Sequence, residues 1–370
     1  MLFANDRVTI HPHRIYTVMK YEVSPTGRSD KRKVVVITGA SAGVGRATVR
    51  EFSRHGARIG LVARGRDGLE GARRDAIALG SEALILPTDV ADPAQVEAAA
   101  AEVEEKLGPI DIWVNNAMAS VFSPIKQMTP EEFKRVTEVT YLGYVYGTLA
   151  ALKRMLPRDR GTIVHVGSAL AYRSIPLQSA YCASKHAVLG FFASLRTELL
   201  HDGSNVRTTM VQMPALNTPQ FGWIKSRLPH KAQPVPPIYQ PEVAARAIYY
   251  AAHHPGRREY YPAWSSVKAI FGNKLAPSFA DRYLARKGYA SQQHDGPEDP
   301  ERPFNLWKPV SGDHGAHGDF DDRARTQSAE LWLETHPGFV VLGALGFLAA
   351  LAGLFKTAEP KRTMQHKLVA

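Results

Sequence analysis

A glycine-rich turn between a strand and a helix constrains the fold of this chain more than any other stretch. The continuous apolar run 34–37 is typical of a strand buried on both faces. It leads directly into the segment 38–45, which contains three glycines and is followed by a helical pattern. Glycines at such a turn let the backbone approach a pyrophosphate closely, and the helix N-terminus offers unpaired N–H groups. The turn therefore predicts a dinucleotide-binding α/β fold.

Strands and helices alternate strictly through the first third of the chain. Further strands are predicted at 59–63, 83–90 and 110–117, and helical patterns at about 67–79 and 93–107 lie between them. Strict alternation of this kind predicts a parallel sheet whose strands are joined by right-handed crossovers.

The residue at the end of the second strand indicates which dinucleotide is bound. In dinucleotide folds an acid at this place holds the 2′-hydroxyl of the adenosine ribose, but here Ala63 is followed by Arg64. A guanidinium pairs with a 2′-phosphate, which a carboxylate would repel. We therefore expect NADP(H) rather than NAD(H). Arg46 and Arg66 are secondary candidates, although a solvated arginine at a helix start is the simpler interpretation of each.

Three polar side chains later in the chain predict a proton-transfer site. Tyr181 and Lys185 are four residues apart in a helical pattern, so they share one face. Ser168 ends an apolar run thirteen residues before Tyr181. A cation beside a phenol favours the phenolate and lowers its pKa from about 10 towards working pH. The alternative is a buried tyrosine and a solvated lysine on an ordinary helix.

Together these motifs resemble the short-chain dehydrogenase/reductase family over about residues 33–263. The resemblance implies a Rossmann-type, doubly wound parallel sheet of about seven strands, and an oxidoreductase that interconverts a carbonyl and a secondary alcohol without a metal. It also implies a homodimer or homotetramer. The residues that carry it are the glycine turn at 38–45, Asp89 with Val90, the run Asn115, Asn116 and Ala117, and the set Ser168, Tyr181 and Lys185.

The resemblance also implies roles for individual residues. Tyr181 would exchange the proton of the reacting oxygen, Lys185 would hold the nicotinamide ribose and lower the pKa of the tyrosine, and Ser168 would stabilise developing charge. Asp89 would contact the adenine edge and Asn115 would lie along the cofactor. The expected cofactor contacts are Gly39, Ser41, Gly43, Val44, Gly45, Arg64, Asp89, Val90, Asn116, Tyr181, Lys185 and Thr218.

The sequence departs from the family pattern at three places. Met118 replaces the glycine that usually follows the Asn-Asn-Ala run, and Ala215 replaces a glycine after Pro214. Thr140 occupies the position of a fourth catalytic residue, an asparagine that holds a water between the lysine and solvent. We expect an altered proton relay. The three departures also leave open an alternative, a nucleotide-binding scaffold or redox sensor that has lost turnover.

Two apolar stretches point to a lipophilic substrate. Segment 219–240 is rich in Pro, Phe, Trp and Leu, and its place in the fold predicts a mobile lid over the substrate rather than a plain surface loop. Segment 339–355 contains only Phe, Val, Leu, Gly and Ala, and this length is the lower limit for crossing a bilayer. It predicts a spanning or membrane-dipping helix, the alternative being a helix buried in protein.

The chain therefore divides into a catalytic domain and the segments that precede and follow it. We expect an N-terminal extension at 1–32, the catalytic domain at 33–265, a C-terminal extension at 266–336, a membrane segment at 337–357 and a basic tail at 358–370. No export signal is recognisable and the cofactor is a cytoplasmic one, so the catalytic domain is predicted to be cytoplasmic, attached to the membrane through the C-terminal segment.

Composition narrows the classes of partner. The formal net charge is +11 and the pI about 9.6, which suits a phosphate-bearing nucleotide or an anionic membrane surface. Aromatic residues do not alternate with Lys and Arg in any run, so nucleic acid is not expected. Cys182 is the only cysteine in the sequence, which excludes an internal disulfide.

Overall fold

Seven parallel strands form the central sheet of the part of the chain that the structure describes. A computed structural model describes residues 32–336 and 338–339. The strands in chain order are β1 (Val34–Thr38), β2 (Arg58–Ala63), β3 (Ala83–Pro87), β4 (Ile112–Asn115), β5 (Val121–Phe122), β6 (Gly161–Ser168), β7 (Val206–Met213), β8 (Lys225–Ser226), β9 (His230–Ala232), β10 (Glu259–Tyr260) and β11 (Gln293–Pro297). The central sheet has the order β10-β7-β6-β4-β1-β2-β3, and neighbouring strands run parallel. The predicted Rossmann-type sheet is confirmed.

The order of the strands reverses between β1 and β4. From β1 the chain builds outwards through β2 to the edge strand β3, then returns to place β4 on the other side of β1. In open parallel sheets a reversal of this kind leaves a crevice at the carboxyl ends of the strands, and ligands bind there.

Helices cover both faces of the sheet. They are α1 (Gly43–Arg54), α2 (Arg66–Ala78), α3 (Pro93–Leu107), α4 (Pro130–Thr137), α5 (Gly143–Met155), α6 (Ser179–His201), α7 (Gln220–Trp223), α8 (Pro241–His253), α9 (Trp264–Leu275), α10 (Pro277–Lys287) and α11 (Ala329–Thr335). Val35 and Ile37 of β1 belong to an apolar cluster that includes residues of α1, α2 and α8, whereas Val34 and Val36 belong to a second cluster that includes residues of α3, α5 and α6. Every residue of β1 is buried, as its unbroken apolar run predicts.

Residues 130–155 form two helices rather than a single long one. A π-helical turn, Glu138–Leu142, separates α4 from α5. The turn encloses Thr140, whose hydroxyl donates to the carbonyl of Ala119 at 2.8 Å and accepts from its N–H at 2.9 Å. Turns of this type are short and occur often at functional sites.

The predicted lid is tied to two other parts of the chain. It contains α7, β8 and β9; β8 pairs with β5 in parallel, and β9 pairs with β11 of the C-terminal extension in antiparallel. The buried carboxylate of Glu132 also holds the lid, because it accepts from Lys225 at 2.7 Å and from Arg227 at 2.7 and 3.0 Å.

The predicted terminal segments fall largely outside the described residues. The N-terminal extension is outside except for Arg32, and the membrane segment 337–357 is outside except for residues 338–339. The basic tail 358–370 is outside altogether. Within the described ranges, no helix combines the length and apolar character that crossing a bilayer requires.

Candidate active site

A cavity of about 520 Å³ opens at the carboxyl ends of the parallel strands. The residues that line it follow β1, β2, β3, β4, β6 and β7, so the crevice expected from the strand order is present. Almost all of the sequence-predicted site residues line this cavity. They are Gly39, Ser41, Gly43, Val44, Gly45, Arg64, Asp89, Val90, Asn116, Ser168, Tyr181, Lys185 and Thr218.

The glycine turn has no room for side chains. Gly39 and Gly43 have φ values of +69° and +56°, which other L-residues rarely adopt. A Cβ on Gly45 would lie 2.0 Å from the carbonyl oxygen of Gly39. Asn116 stabilises the turn, because its side-chain amide donates to the carbonyl of Thr38 at 2.8 Å. The three glycines therefore line the cavity with backbone alone, as close approach of a pyrophosphate requires.

Four buried hydroxyls on the cavity wall have no hydrogen-bond partner in residues 32–336. They are Ser120 Oγ, Thr218 Oγ1, Ser265 Oγ and Ser266 Oγ. Buried polar groups are normally satisfied, so such orphans mark places where a ligand group completes the bonding. Together with the bare glycine turn, the orphaned Thr218 hydroxyl shows that these residues fit a dinucleotide. Ser120 was not predicted from the sequence, because it belongs to no motif.

Arg64 is half-buried, and its charged group is held by backbone carbonyls of the described chain. Its guanidinium donates to the carbonyl of Leu306 at 3.3 Å and of Trp307 at 3.2 Å, and also to that of Asn305. Burial lowers the pKa of Arg64, and the charge of Arg135 lowers it further, while Asp89 acts in the opposite direction. Arg135 itself pairs with Asp89. Within residues 32–336 no carboxylate pairs with Arg64, so an anion would complete its surroundings.

The two secondary arginine candidates are placed differently. Arg46 is buried and forms ion pairs with Asp75 at 2.8 Å and with Asp313 at 2.9 Å. Its charge is therefore already balanced by protein carboxylates. Arg66 is exposed and lies 3.7 Å from Glu70.

The structure brings Ser168, Tyr181 and Lys185 to one wall of the cavity. The Lys185 ammonium donates to the carbonyl of Val166 at 2.7 Å and to the hydroxyl of Tyr144 at 3.0 Å. It lies 5.6 Å from the centre of the Tyr181 ring. Burial lowers the pKa of Lys185 to about 7.

The prediction that Lys185 lowers the pKa of Tyr181 is wrong. Burial raises the pKa of the Tyr181 phenol above its ordinary value, and only a hydrogen bond with Ser168 acts in the lowering direction. The ammonium of Lys185 is turned towards Val166 and Tyr144 instead. Tyr144 was missed by the sequence reasoning, because it belongs to no motif. Its place in the first turn of α5, with its hydroxyl donating to the carbonyl of Val166, is visible only in the fold.

Asn115 and Thr140 do not line the cavity. Asn115 is fully buried, accepts from the indole of Trp113 at 2.9 Å and donates to Thr148 at 3.0 Å. The prediction that it lies along the cofactor is wrong, because alternate residues of a strand face opposite sides and Asn116 is the one that faces the cavity. Thr140 instead holds the backbone at Ala119 from outside the lining.

A segment of the C-terminal extension closes the open side of the cofactor crevice. We call residues 305–320 the strap. Its carbonyls at 305–307 hold Arg64, Asp313 pairs with Arg46, and the carbonyl of Gly315 accepts from the N–H of Gly43 at 3.0 Å. The side chain of Asn217 binds the N–H groups of Gly318 and Phe320, each at 3.1 Å. No sequence motif pointed to a role for this segment.

The rest of the cavity is mostly apolar, although Arg173, Gln178, Gln220 and Gln233 also line it. Its wall comes from the lid, from the loop before α6 and from the α9–α10 helices, and both Met118 and Ala215 contribute to it. The large apolar side chains that line it are Phe122, Ile175, Leu216, Phe221, Trp223, Ile224, Val235 and Leu284. The predicted lid segment therefore lies over the site that it was expected to cover.

The doubly wound sheet, the bare glycine turn and the Ser-Tyr-Lys set define a dinucleotide-dependent oxidoreductase of the α/β class. Residues 33–227 match the sequence profile of the short chain dehydrogenases. The chain belongs to this family and is an NAD(P)-dependent dehydrogenase/reductase.

Known relatives resemble the chain over different lengths. The uncharacterised oxidoreductase YxnA of Bacillus subtilis (strain 168) is 33% identical over 77% of this chain and 80% of its own length. Dehydrogenase/reductase SDR family member 7 of Homo sapiens is 40% identical over 45% of this chain and 50% of its own length.

Two solved structures resemble the fold. An alcohol dehydrogenase from the archaeon Thermococcus sibiricus, complexed with 5-hydroxy-NADP, has a TM-score of 0.53 and 29% identity, and covers 62% of this chain and 95% of its own. A metagenomic short-chain oxidoreductase in complex with NADP has a TM-score of 0.52 and 26% identity, and covers 62% of this chain and 94% of its own.

Proposed function

We propose that this protein is an NADP(H)-dependent oxidoreductase that interconverts a carbonyl and a secondary alcohol on a lipophilic substrate, with Tyr181 as general acid and base. The observation that carries the proposal is the placement of Ser168, Tyr181 and Lys185 on the wall of the same cavity that the glycine turn opens into. A nucleotide-binding scaffold would need the glycine turn but none of these three side chains.

The residues of the crevice divide into those that hold the cofactor and those that handle the proton. The turn from Gly39 to Gly45 would hold the pyrophosphate, and the unpartnered hydroxyl of Thr218 would bond the nicotinamide end. Arg64 would pair with the 2′-phosphate. The two solved relatives that carry NADP or its 5-hydroxy derivative support this choice of cofactor. When bound, the nicotinamide supplies or accepts the hydride.

Tyr181 is suited to donate a proton in the direction of carbonyl reduction. Burial raises its pKa, so the phenol is protonated at neutral pH. Tyr181 would give that proton to the carbonyl oxygen of the substrate as the carbonyl carbon is reduced to the alcohol, the bound nicotinamide being the source of the hydride. Ser168 donates a hydrogen bond to the same oxygen, and the nearby Lys185 ammonium stabilises the phenolate left behind. In alcohol oxidation each transfer runs in reverse.

The apolar lining supports a lipophilic substrate. Beyond Ser168 and Tyr181 most of the wall is formed by side chains such as Phe122, Phe221 and Trp223, which offer contact area but few hydrogen bonds, and a few polar groups such as Gln178 and Gln233 lie among them. Membrane attachment through segment 337–357 belongs to the same proposal and rests on its composition alone. Assembly into a homodimer or homotetramer is likewise proposed from the family and is measurable by light scattering.

The test is oxidation of NADPH with a panel of apolar and polar ketones. Replacement of Tyr181 by Phe removes only the hydroxyl, and we expect kcat/KM to fall by about 10²- to 10⁴-fold because general acid catalysis is lost. Tyr146→Phe is a matched control, because this half-buried tyrosine on α5 does not line the cavity. Equal turnover in the wild type and Tyr181→Phe would reject the catalytic role, and a preference for small polar ketones would reject the substrate class.

A further inference from the structure

The α9–α10 helices form a hairpin that the rest of the described chain barely covers. Helix α10 has no buried residue, and α9 buries only Ser266 and Ile270. Helices of 11 and 12 residues are marginal in water without a packed face. The hairpin therefore lacks the partner that would normally stabilise such short helices.

The uncovered side of the hairpin carries large apolar side chains. Leu275 and Phe279 are 84% and 71% exposed, and Trp264, Phe271 and Tyr283 are also exposed. Residues 264, 271 and 275 share one face of α9, and 279 and 283 share one face of α10, because three- to four-residue steps return to the same side of a helix. We call these five residues the α9–α10 surface. Concentrated apolar exposure of this kind marks an interaction site.

Positive charge surrounds the α9–α10 surface. Between residues 264 and 289 the only acid is Asp281, which pairs with Arg173 at 2.7 Å. Within residues 32–336 none of the hairpin's cations forms an ion pair with a carboxylate, so their charge is directed to solvent. These cations are Lys268, Lys274, Arg282, Arg286 and Lys287.

This combination favours an anionic lipid surface over a second copy of the chain. A two-fold dimer would place the same patch against itself and would bring five unpaired cations on each side together. A bilayer with acidic headgroups neutralises the cations while its acyl boundary takes up the aromatic and leucine side chains, and long Lys and Arg stems reach the headgroups.

The hairpin is also part of the cavity wall. Ser265, Ser266 and Ala269 of α9 and Leu284 of α10 line the cavity from the inner side of the same helices. We propose that the α9–α10 surface lies on the face of an anionic bilayer, so that the apolar part of the cavity opens towards the lipid. This contact is independent of segment 337–357, and its test measures binding rather than turnover.

The experiment is co-sedimentation of the full-length protein with vesicles of phosphatidylcholine, with and without phosphatidylserine. Leu348→Glu and Leu351→Glu are placed in the parent so that the apolar segment 339–355 does not mask the hairpin. We expect this parent to bind vesicles that contain phosphatidylserine, to bind pure phosphatidylcholine more weakly, and to be released by salt. Adding Leu275→Glu and Phe279→Glu should weaken binding at least about tenfold.

Ile77→Glu is the matched control, because Ile77 is an exposed apolar residue on α2 and its substitution should leave binding unchanged. Since all three side chains are exposed, thermal melting should show that each variant folds like the parent. A parent that binds no vesicle, or a Leu275→Glu/Phe279→Glu variant that binds like the parent, overturns the proposal. If light scattering shows that this variant forms a smaller oligomer than the parent, the proposal is overturned, and the α9–α10 surface is instead an interface with a second copy of the chain.

Discussion

Lys185 places its ammonium group in a buried position between one carbonyl and one phenol. Hydrogen bonds to Val166 and Tyr144 compensate only in part for the loss of water, and burial lowers the pKa of the amine to about 7. His165 is buried in the same part of the site. Burial is the main reason that the pKa of its ring is lowered to about 3, and the charge of Lys185 is the second, so the ring is neutral. Burial in this part of the site therefore disfavours the charged form of Lys185, and perturbed pKa values of this kind are common at functional sites.

Replacement of Lys185 by Met should stabilise the protein without cofactor at pH 7. The folded pKa is about 7 and the ordinary value is 10.5, so between these values the unfolded chain binds more protons than the folded one. Wild-type stability should thus rise from pH 7 towards pH 10, and the Met variant should lack this rise. The variant's advantage should be largest at and below pH 7 and should shrink as the pH approaches 10.

Thermal unfolding at pH 7, 8.5 and 10 measures this difference, with Lys126→Met as the control because Lys126 is exposed. A Lys185→Met protein less stable than the wild type at pH 7 would mean that the two hydrogen bonds outweigh the cost of burying the charge.

The sequence indicated which residues share the site but not how they are bonded. A spacing of four placed Tyr181 and Lys185 on one helix face, and the structure agrees. Whether the ammonium turns to the phenol or past it depends on Val166 and Tyr144, which come from other elements. The direction of the tyrosine pKa shift was for that reason predicted wrongly.

At the scale of elements, the sequence predicted correctly those strands, turns and helices that interactions between neighbouring residues determine. The strand at 34–37, the glycine turn and the helix at 93–107 were located within a residue or two, because apolar runs, glycines and caps are local signals. The π-turn Glu138–Leu142 was missed, because one additional residue hardly changes the apolar period of a long helical pattern. The lid was located, but its anchoring to Glu132 depends on side chains about 95 residues apart.

Replacement of Glu132 by Gln should loosen the lid. Burial opposes ionisation of this carboxylate, yet hydrogen bonds from Arg227 and Lys225 prevail and lower its pKa to about 2. Removing the charge leaves two cations without their shared partner, so we expect a loss of about 3 kcal/mol in the free energy of unfolding. We also expect KM for the ketone to rise more than kcat falls.

The pH dependence gives this prediction its direction. A carboxylate with a folded pKa near 2 and an ordinary value of 4.5 contributes its stability above pH 4.5 and loses it as the pH falls towards 2. Urea unfolding should therefore show a gap between the wild type and Glu132→Gln at pH 7 that narrows below pH 4.5. Glu131→Gln, at the exposed neighbouring position, should show no gap. A constant gap at all pH values would attribute the effect to packing rather than to charge.

At the scale of the whole molecule, residues from distant parts of the chain build the cofactor crevice together. Arg64 and the carbonyl of Leu306 are 242 positions apart, and Arg46 and Asp313 are 267 apart. No local sequence pattern predicts such contacts, since the strap is rich in Gly, His and Asp and has no apolar period. The sequence therefore predicted the residues at the strand ends, which form one side of the crevice, but it did not predict the strap, which closes the other side.

Replacement of Asp313 by Asn should speed the release of NADPH. Asp313 anchors the strap by accepting from Arg46 at 2.9 Å and from Arg74 at 3.1 Å, and Pro309, Val310 and His314 of the strap line the crevice. Losing the charge weakens both bonds, so the strap should open more often and cofactor should dissociate about three- to tenfold faster. Stopped-flow measurement of NADPH fluorescence gives the rate directly.

Asp319→Asn provides the comparison on the same segment, because Asp319 is exposed and should leave the rate unchanged. Slower dissociation in Asp313→Asn would mean that the strap competes with the cofactor for Gly43 and Arg64 instead of enclosing it. Since the anchoring residues lie well outside the apolar part of the cavity, KM for the ketone should stay the same in either case, which separates an effect on the strap from a general loss of the fold.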